Sequence, residues 1–76
     1  MQLEIRTAED LAVERAAIAA ARVRADRNRL LAASDWTQVA DAPVDQGAWA
    51  SYRSRLRDMT RQPGFPHDVT WPKPPP

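Results

Sequence analysis

His67 is the only histidine of the 76-residue chain, and a hydrolytic site would have to be built around it. Ser34 offers a hydroxyl nucleophile, and several aspartates offer an orienting carboxylate, as in a catalytic triad. However, no glycine-flanked nucleophile turn accompanies Ser34, and His67 lies in a proline-rich segment. The sequence therefore predicts a solvated surface histidine, no catalytic residues and no enzymatic activity.

Two groups of carboxylates raise the question of a metal site. Glu9 and Asp10 are adjacent, and Asp41 and Asp45 lie four residues apart. These groups lie where helices are expected to begin, and acidic residues are favoured there because they cap free backbone N–H groups and complement the helix dipole. The chain has no cysteine and a single histidine, so several carboxylates would have to converge on a zinc ion. We expect no metal site and no cofactor.

Arginines form two basic groups, and these raise the question of nucleic-acid binding. The first contains Arg22, Arg24, Arg27 and Arg29, and the second steps by four through Arg53, Arg57 and Arg61. Acidic residues interrupt both groups, and the net charge is only +1, whereas nucleic-acid-binding domains are usually strongly basic. We expect solvated helix faces or an acidic protein partner, and no nucleic acid. The alternative of a nucleic-acid-binding regulator predicts a steep salt dependence in a DNA titration.

Bulky apolar residues are scarce in this chain. Leu, Ile, Val and Phe together number 13, while 14 alanines supply much of the apolar content. A chain of this length forms at most one small domain, which buries a modest share of its surface. We divide it into an N-terminal segment with a long helix, residues 1–33, and an aromatic module, residues 34–76. A core of this kind depends on its aromatic residues and on a partner or a second copy.

No segment of the sequence predicts export or membrane insertion. The N-terminus lacks the basic and apolar regions of a secretory signal. No apolar run approaches the roughly 20 residues that cross a bilayer. We expect a soluble cytoplasmic protein without a membrane partner.

A long first helix is predicted over residues 8–33. Thr7 is a suitable N-cap, and Asp10 follows it by three residues, as in a capping box. The 26 residues of this segment contain ten alanines and neither glycine nor proline, a composition that favours helix. Such a helix extends beyond any core that the rest of the chain can supply. Association with a partner or formation of a homo-oligomer would cover the remainder of the helix; the alternative is that the helix packs on the rest of its own chain.

A shorter amphipathic helix is predicted after an ordered connector, residues 34–44. Asp45 is its expected N-cap, and Pro63 and Gly64 end it after Gln62. Apolar side chains recur along it at helical spacing. The predicted structural core combines them with two residues of the preceding segments: Leu30, Trp36, Trp49, Tyr52, Leu56 and Met59.

The last fourteen residues contain six prolines and are expected to form an extended tail, which completes an all-α fold. A stiff tail of this length can only lie beside the helix that precedes it. Its aromatic residues then lie near arginines, a combination enriched in interface hot spots. The predicted partner-binding residues are Arg53, Arg57, Phe65, Val69 and Trp71. The alternative is that Phe65 and Trp71 cover the core of the chain itself.

Three sequence phrases in fixed order carry a resemblance to a known family. They are LLAASDWTQ at residues 30–38, WASYRSRLRD at 49–58 and QPGFPHDVTWP at 62–72. Over residues 28–76 the chain resembles the small tail assembly chaperones of tailed bacteriophages and their prophages. The resemblance implies a non-enzymatic helper that binds a phage tail or tail-fibre protein in the host cytoplasm during virion morphogenesis. The alternative is a minor structural protein that stays in the virion at the tail fibre or baseplate.

Overall fold

The computed structural model describes residues 7–76, which form an elongated helical structure of 63 × 26 × 15 Å. Helix α1 spans Ala8–Ala33 and helix α2 spans Gln46–Arg57, and each is followed by a single 3-10 turn, Asp35–Gln38 and Asp58–Arg61. The described residues contain no strand, so the all-α prediction is confirmed. The N-terminal residues 1–6, in which no secretory signal was expected, lie outside the described part. No helix within residues 7–76 is long and apolar enough to cross a membrane.

Helix α1 has the limits that its capping residues predict. The backbone N–H of Asp10 donates to the Thr7 hydroxyl at 3.1 Å, and the Asp10 carboxylate accepts from the Thr7 N–H at 3.3 Å, which completes the capping box. At the other end the Ser34 hydroxyl donates to the Leu30 carbonyl at 2.8 Å. This side-chain bond competes with continuation of the helix, so α1 ends at Ala33.

The first half of α1 is largely exposed within the described chain. Only Ala20 and Val23 are buried along the helix. Leu11, Val13 and Ile18 are exposed, although they are its bulkiest apolar residues before Val23. The helix therefore extends past the core, as its length and alanine content predicted.

The core lies between α2, its 3-10 extension and the second half of α1. Tyr52, Leu56 and Met59 are buried, and Leu56 and Met59 are fully so. Trp49 is half-buried, and its ring meets Tyr52 edge to face at 5.6 Å between centroids. Leu30 is half-buried on α1. The Asp45 carboxylate caps α2 by accepting from the Ala48 N–H at 3.0 Å, so the predicted N-cap is confirmed.

Trp36 does not belong to the core, so that prediction is wrong. The connector folds into a 3-10 turn, in which successive side chains diverge by about 120°. Thr37 takes the inward position, fully buried, and its hydroxyl donates to the Ser34 carbonyl at 2.6 Å. Trp36 consequently faces outward and is 52% exposed. A short polar residue fills the place that the aromatic residue was expected to occupy.

The tail leaves the second 3-10 helix through a compact turn. The Phe65 N–H donates to the Gln62 carbonyl at 3.0 Å, and the Asp68 N–H donates to the Gly64 carbonyl at 2.9 Å. A side chain at position 64 would overlap the Asp68 carbonyl oxygen, so this turn requires glycine. Beyond it, the Gln62 amide pairs with the Thr70 backbone through two hydrogen bonds, at 2.7 and 2.8 Å. The tail is thereby held next to the end of α2.

Candidate protein-binding surface

Arg53, predicted to face a partner, instead connects α2 to the end of α1. Its Nη1 donates to the Leu31 carbonyl at 2.6 Å and to the Ser34 hydroxyl at 2.7 Å, and its Nη2 pairs with the Asp35 carboxylate at 2.6 Å. The side chain is only 14% exposed. Carbonyls in the last turn of a helix lack the usual N–H donor four residues on, and the Leu31 carbonyl accepts instead from Arg53 and from the Ser34 N–H, the latter at 3.2 Å. The assignment of Arg53 to the partner surface is corrected accordingly.

Arg57 lies one helical turn further along and has a different environment. Arg57 is exposed to solvent, and within residues 7–76 its side chain forms no ion pair. Arg61, the next residue in this series, pairs with Asp58 at 3.8 Å on the surface. Arg57 therefore remains available to an acidic partner, whereas Arg53 does not.

The aromatic and apolar residues of the tail divide between two places. Phe65 is half-buried under Arg24 of α1, whose guanidinium carbon lies 5.5 Å from the ring centroid, within the range of a cation–π contact. Val69 is half-buried beside α1. Trp71 is half-buried at a cavity of about 350 Å³, which Arg55 and Asp58 also line. The predicted partner residues therefore do not form one surface.

The tail continues back along α2 after Trp71. Lys73, Pro75 and Pro76 line one cavity together with Ser51 and Tyr52 of α2. The chain end thus lies close to the first half of that helix, as expected for a stiff tail that returns beside it. Sequence reasoning placed Arg53 and Arg57 next to the tail, but the arginine that lies there is Arg55.

Three of the residues considered for chemistry have structural partners. The Asp10 and Asp45 carboxylates cap the two helices, as their positions predicted. The Ser34 hydroxyl donates to the Leu30 carbonyl and accepts from Arg53. In the part of the chain described here, no group of three or more His, Cys, Asp or Glu side chains could hold a metal ion.

The arrangement is that of a small helical interaction module. A thin core supports one projecting helix, and a tail strapped along α2 leaves apolar and basic side chains at the surface. The model of the phage tail assembly chaperone protein family matches residues 20–76, so the chain belongs to this family. The match begins at Ala20, the first buried residue of α1, and continues to the end of the tail. No curated protein and no solved structure matches the chain.

Proposed function

We propose that this protein is a non-enzymatic chaperone that binds a phage tail or tail-fibre component during virion morphogenesis, in the cytoplasm of the host cell. Membership of the tail assembly chaperone family over residues 20–76 carries the proposal. Before assembly, fibre and tail proteins expose apolar surfaces that are later buried between subunits. A chaperone can cover such surfaces reversibly if it offers exposed apolar and charged groups of its own.

Two regions of the chain can make such contacts. The first half of α1 exposes Leu11, Val13 and Ile18. The second region comprises α2 and the tail, where the exposed Arg57 of the helix and the half-buried Trp71 of the tail offer separate contacts. Tryptophan and arginine are enriched among residues that dominate binding energy, so Trp71 and Arg57 are the proposed contacts of this second region.

Copies of the chain are proposed to associate with one another when no tail component is present. Leu11, Val13 and Ile18 in the first half of α1 are exposed, and association buries them. A tail component would then compete with the second copy for the same helix. Association of this kind keeps the binding surface covered until its client is made.

Co-expression with each tail protein of the same phage, followed by affinity purification, tests the proposal. One tail or fibre protein should co-purify at fixed stoichiometry, and deletion of the chaperone should give particles that lack the corresponding structure in electron micrographs. Mass spectrometry of purified virions separates the alternative: a chaperone is absent or present in traces, whereas a minor structural protein is present at a fixed copy number. Failure of every tail protein to bind contradicts the proposed function.

A further inference from the structure

A groove of about 470 Å³ lies between α1 and the turn at the start of the tail. Arg15, Ile18 and Arg22 line it from the helix, and Pro66 and Val69 line it from the turn. The turn is held in place by the bonds of Gln62 to Thr70, so both walls belong to ordered elements of the chain.

The groove has an apolar centre and a basic rim. Ile18 is 56% exposed, and Val69 faces it from the turn. Arg15 and Arg22 are exposed, and no acidic residue of the described chain lines the groove. Within residues 7–76 neither arginine forms an ion pair. The groove therefore offers two uncompensated positive charges beside an apolar contact.

The spacing of the two arginines restricts the ligand. Arg15 and Arg22 lie two turns apart on α1, which is about 10 Å at 1.5 Å per residue. Carboxylates separated by the same distance on one face of a helical segment lie seven residues apart. An apolar side chain between them would reach Ile18 and Val69.

We propose that this groove binds an acidic amphipathic segment of the tail component, with carboxylates on Arg15 and Arg22 and an apolar anchor between Ile18 and Val69. Arginine favours this role because its guanidinium can pair with a carboxylate through two parallel hydrogen bonds. A protein segment fits better than a nucleic acid, since a phosphate backbone has no apolar group for the aliphatic centre. The inference rests on the proposed function and names the chemistry of the partner.

The groove also crosses the limit of the family match. Arg22 and Val69 lie within residues 20–76, whereas Arg15 and Ile18 precede them. The residues that match the family model thus provide Arg22 and the wall that contains Val69. The part of α1 that precedes the match provides Arg15 and Ile18. The segment that the groove accepts is therefore specified in part by residues outside the family match.

Photo-cross-linking identifies the occupant. A photo-reactive residue replaces Ile18 in the full chain, in complex with the tail protein that co-purifies with it, and mass spectrometry identifies the linked peptide. We expect a peptide with two carboxylates at this spacing on either side of an apolar residue. Cross-links that are confined to a second copy of this chain, or to a segment without carboxylates, overturn the inference.

Charge reversal measures the contribution of the rim. The double variant Arg15→Glu, Arg22→Glu should bind the purified tail protein at least about tenfold more weakly, because like charges then face each other. Arg61→Glu is the control, since Arg61 is also exposed to solvent but does not line the groove; the affinity of this variant should stay within about twofold. Circular dichroism melts verify that each variant remains folded.

A charge swap completes the test. Lysines in place of the cross-linked carboxylates should restore binding to the double variant, which a loss of fold cannot explain. Unchanged affinity of the double variant overturns the groove inference and leaves the proposed function standing. Absence of binding by the unmodified chain overturns both.

Discussion

The Nη1 atom of Arg53 on α2 lies 2.6 Å from the carbonyl oxygen of Leu31, in the last turn of α1. The same side chain reaches Ser34 and Asp35, so three consecutive segments of the chain meet at one guanidinium. A positive charge at a helix C-terminus is favourable because the helix dipole is negative there. Arg53 therefore holds the end of α1 against α2 and sets how the two helices meet.

Replacement of Arg53 by alanine should destabilise the fold. It removes charge-assisted hydrogen bonds to partly buried acceptors, which are worth about 1.5–3 kcal/mol. The ion pair with Asp35 adds little, since that carboxylate is largely exposed. Arg57→Ala is the matched control and should change stability by less than about 0.5 kcal/mol. Thermal melts of both variants measure the difference, and equal melting temperatures would contradict the role given to Arg53.

Both helix starts, the end of α1 and the α2 seam could be predicted from sequence because they depend on local signals. The predicted end of α2 at Gln62 is wrong, since the α-helix ends at Arg57 and the chain continues as a 3-10 turn over Asp58–Arg61. Thr7 and Asp45 cap the next few residues, and the spacing of Tyr52 and Leu56 repeats within two turns. The role of Arg53 could not be predicted, because its partners lie 18 to 22 residues away and depend on how the helices meet. The outward position of Trp36 likewise depends on a 3-10 turn that composition does not specify.

The predicted binding set illustrates the same limit. Phe65 and Val69 lie next to α1 rather than next to the arginines of α2, since the turn at Gly64 directs them there. The sequence indicated that a stiff tail would return along α2, but not which arginine it would meet. That choice depends on tertiary packing.

Core substitutions should follow burial rather than side-chain size. Leu56→Ala should cost about 2–5 kcal/mol, because Leu56 is fully buried, and that is enough to unfold a domain of this size. Trp49→Ala should cost less than removal of a fully buried tryptophan, since Trp49 is half-buried. Trp36→Ala should have the smallest effect of the three. Urea titrations followed by circular dichroism rank them, and a larger loss for Trp36 than for Leu56 would contradict the described core.

The isolated chain should associate in a concentration-dependent manner. Residues 7–76 leave Leu11, Val13 and Ile18 of α1 exposed, and association that buries them raises the melting temperature as protein concentration increases. Leu11→Ser and Val13→Ser together should weaken association, whereas Val39→Ser, an equally exposed apolar residue outside α1, should not. Light scattering and melts over a concentration series provide the measurement. A monomer with a concentration-independent transition rules out self-association.

Truncation after Gln62 should destabilise the helical part of the chain. The tail contributes the contact of Phe65 with Arg24 and the pairing of Thr70 with Gln62, and its last residues lie beside Tyr52. Loss of these contacts exposes apolar surface of the two helices, so the melting temperature should fall. Circular dichroism of the truncated and full-length chains measures this change.

Gln62→Ala tests the hydrogen bonds between the Gln62 amide and the Thr70 backbone separately from the packing of the tail. It removes two hydrogen bonds to the Thr70 backbone and should cost about 1–3 kcal/mol, with faster amide hydrogen exchange at Thr70. Gln38→Ala is the control, because its amide makes one contact to the α2 backbone at 3.3 Å and none to the tail.

The truncation after Gln62 also has an outcome that contradicts a structural role. If it leaves helicity and melting unchanged but abolishes binding of the tail component, the tail is a binding element alone and its role as a structural strap is wrong.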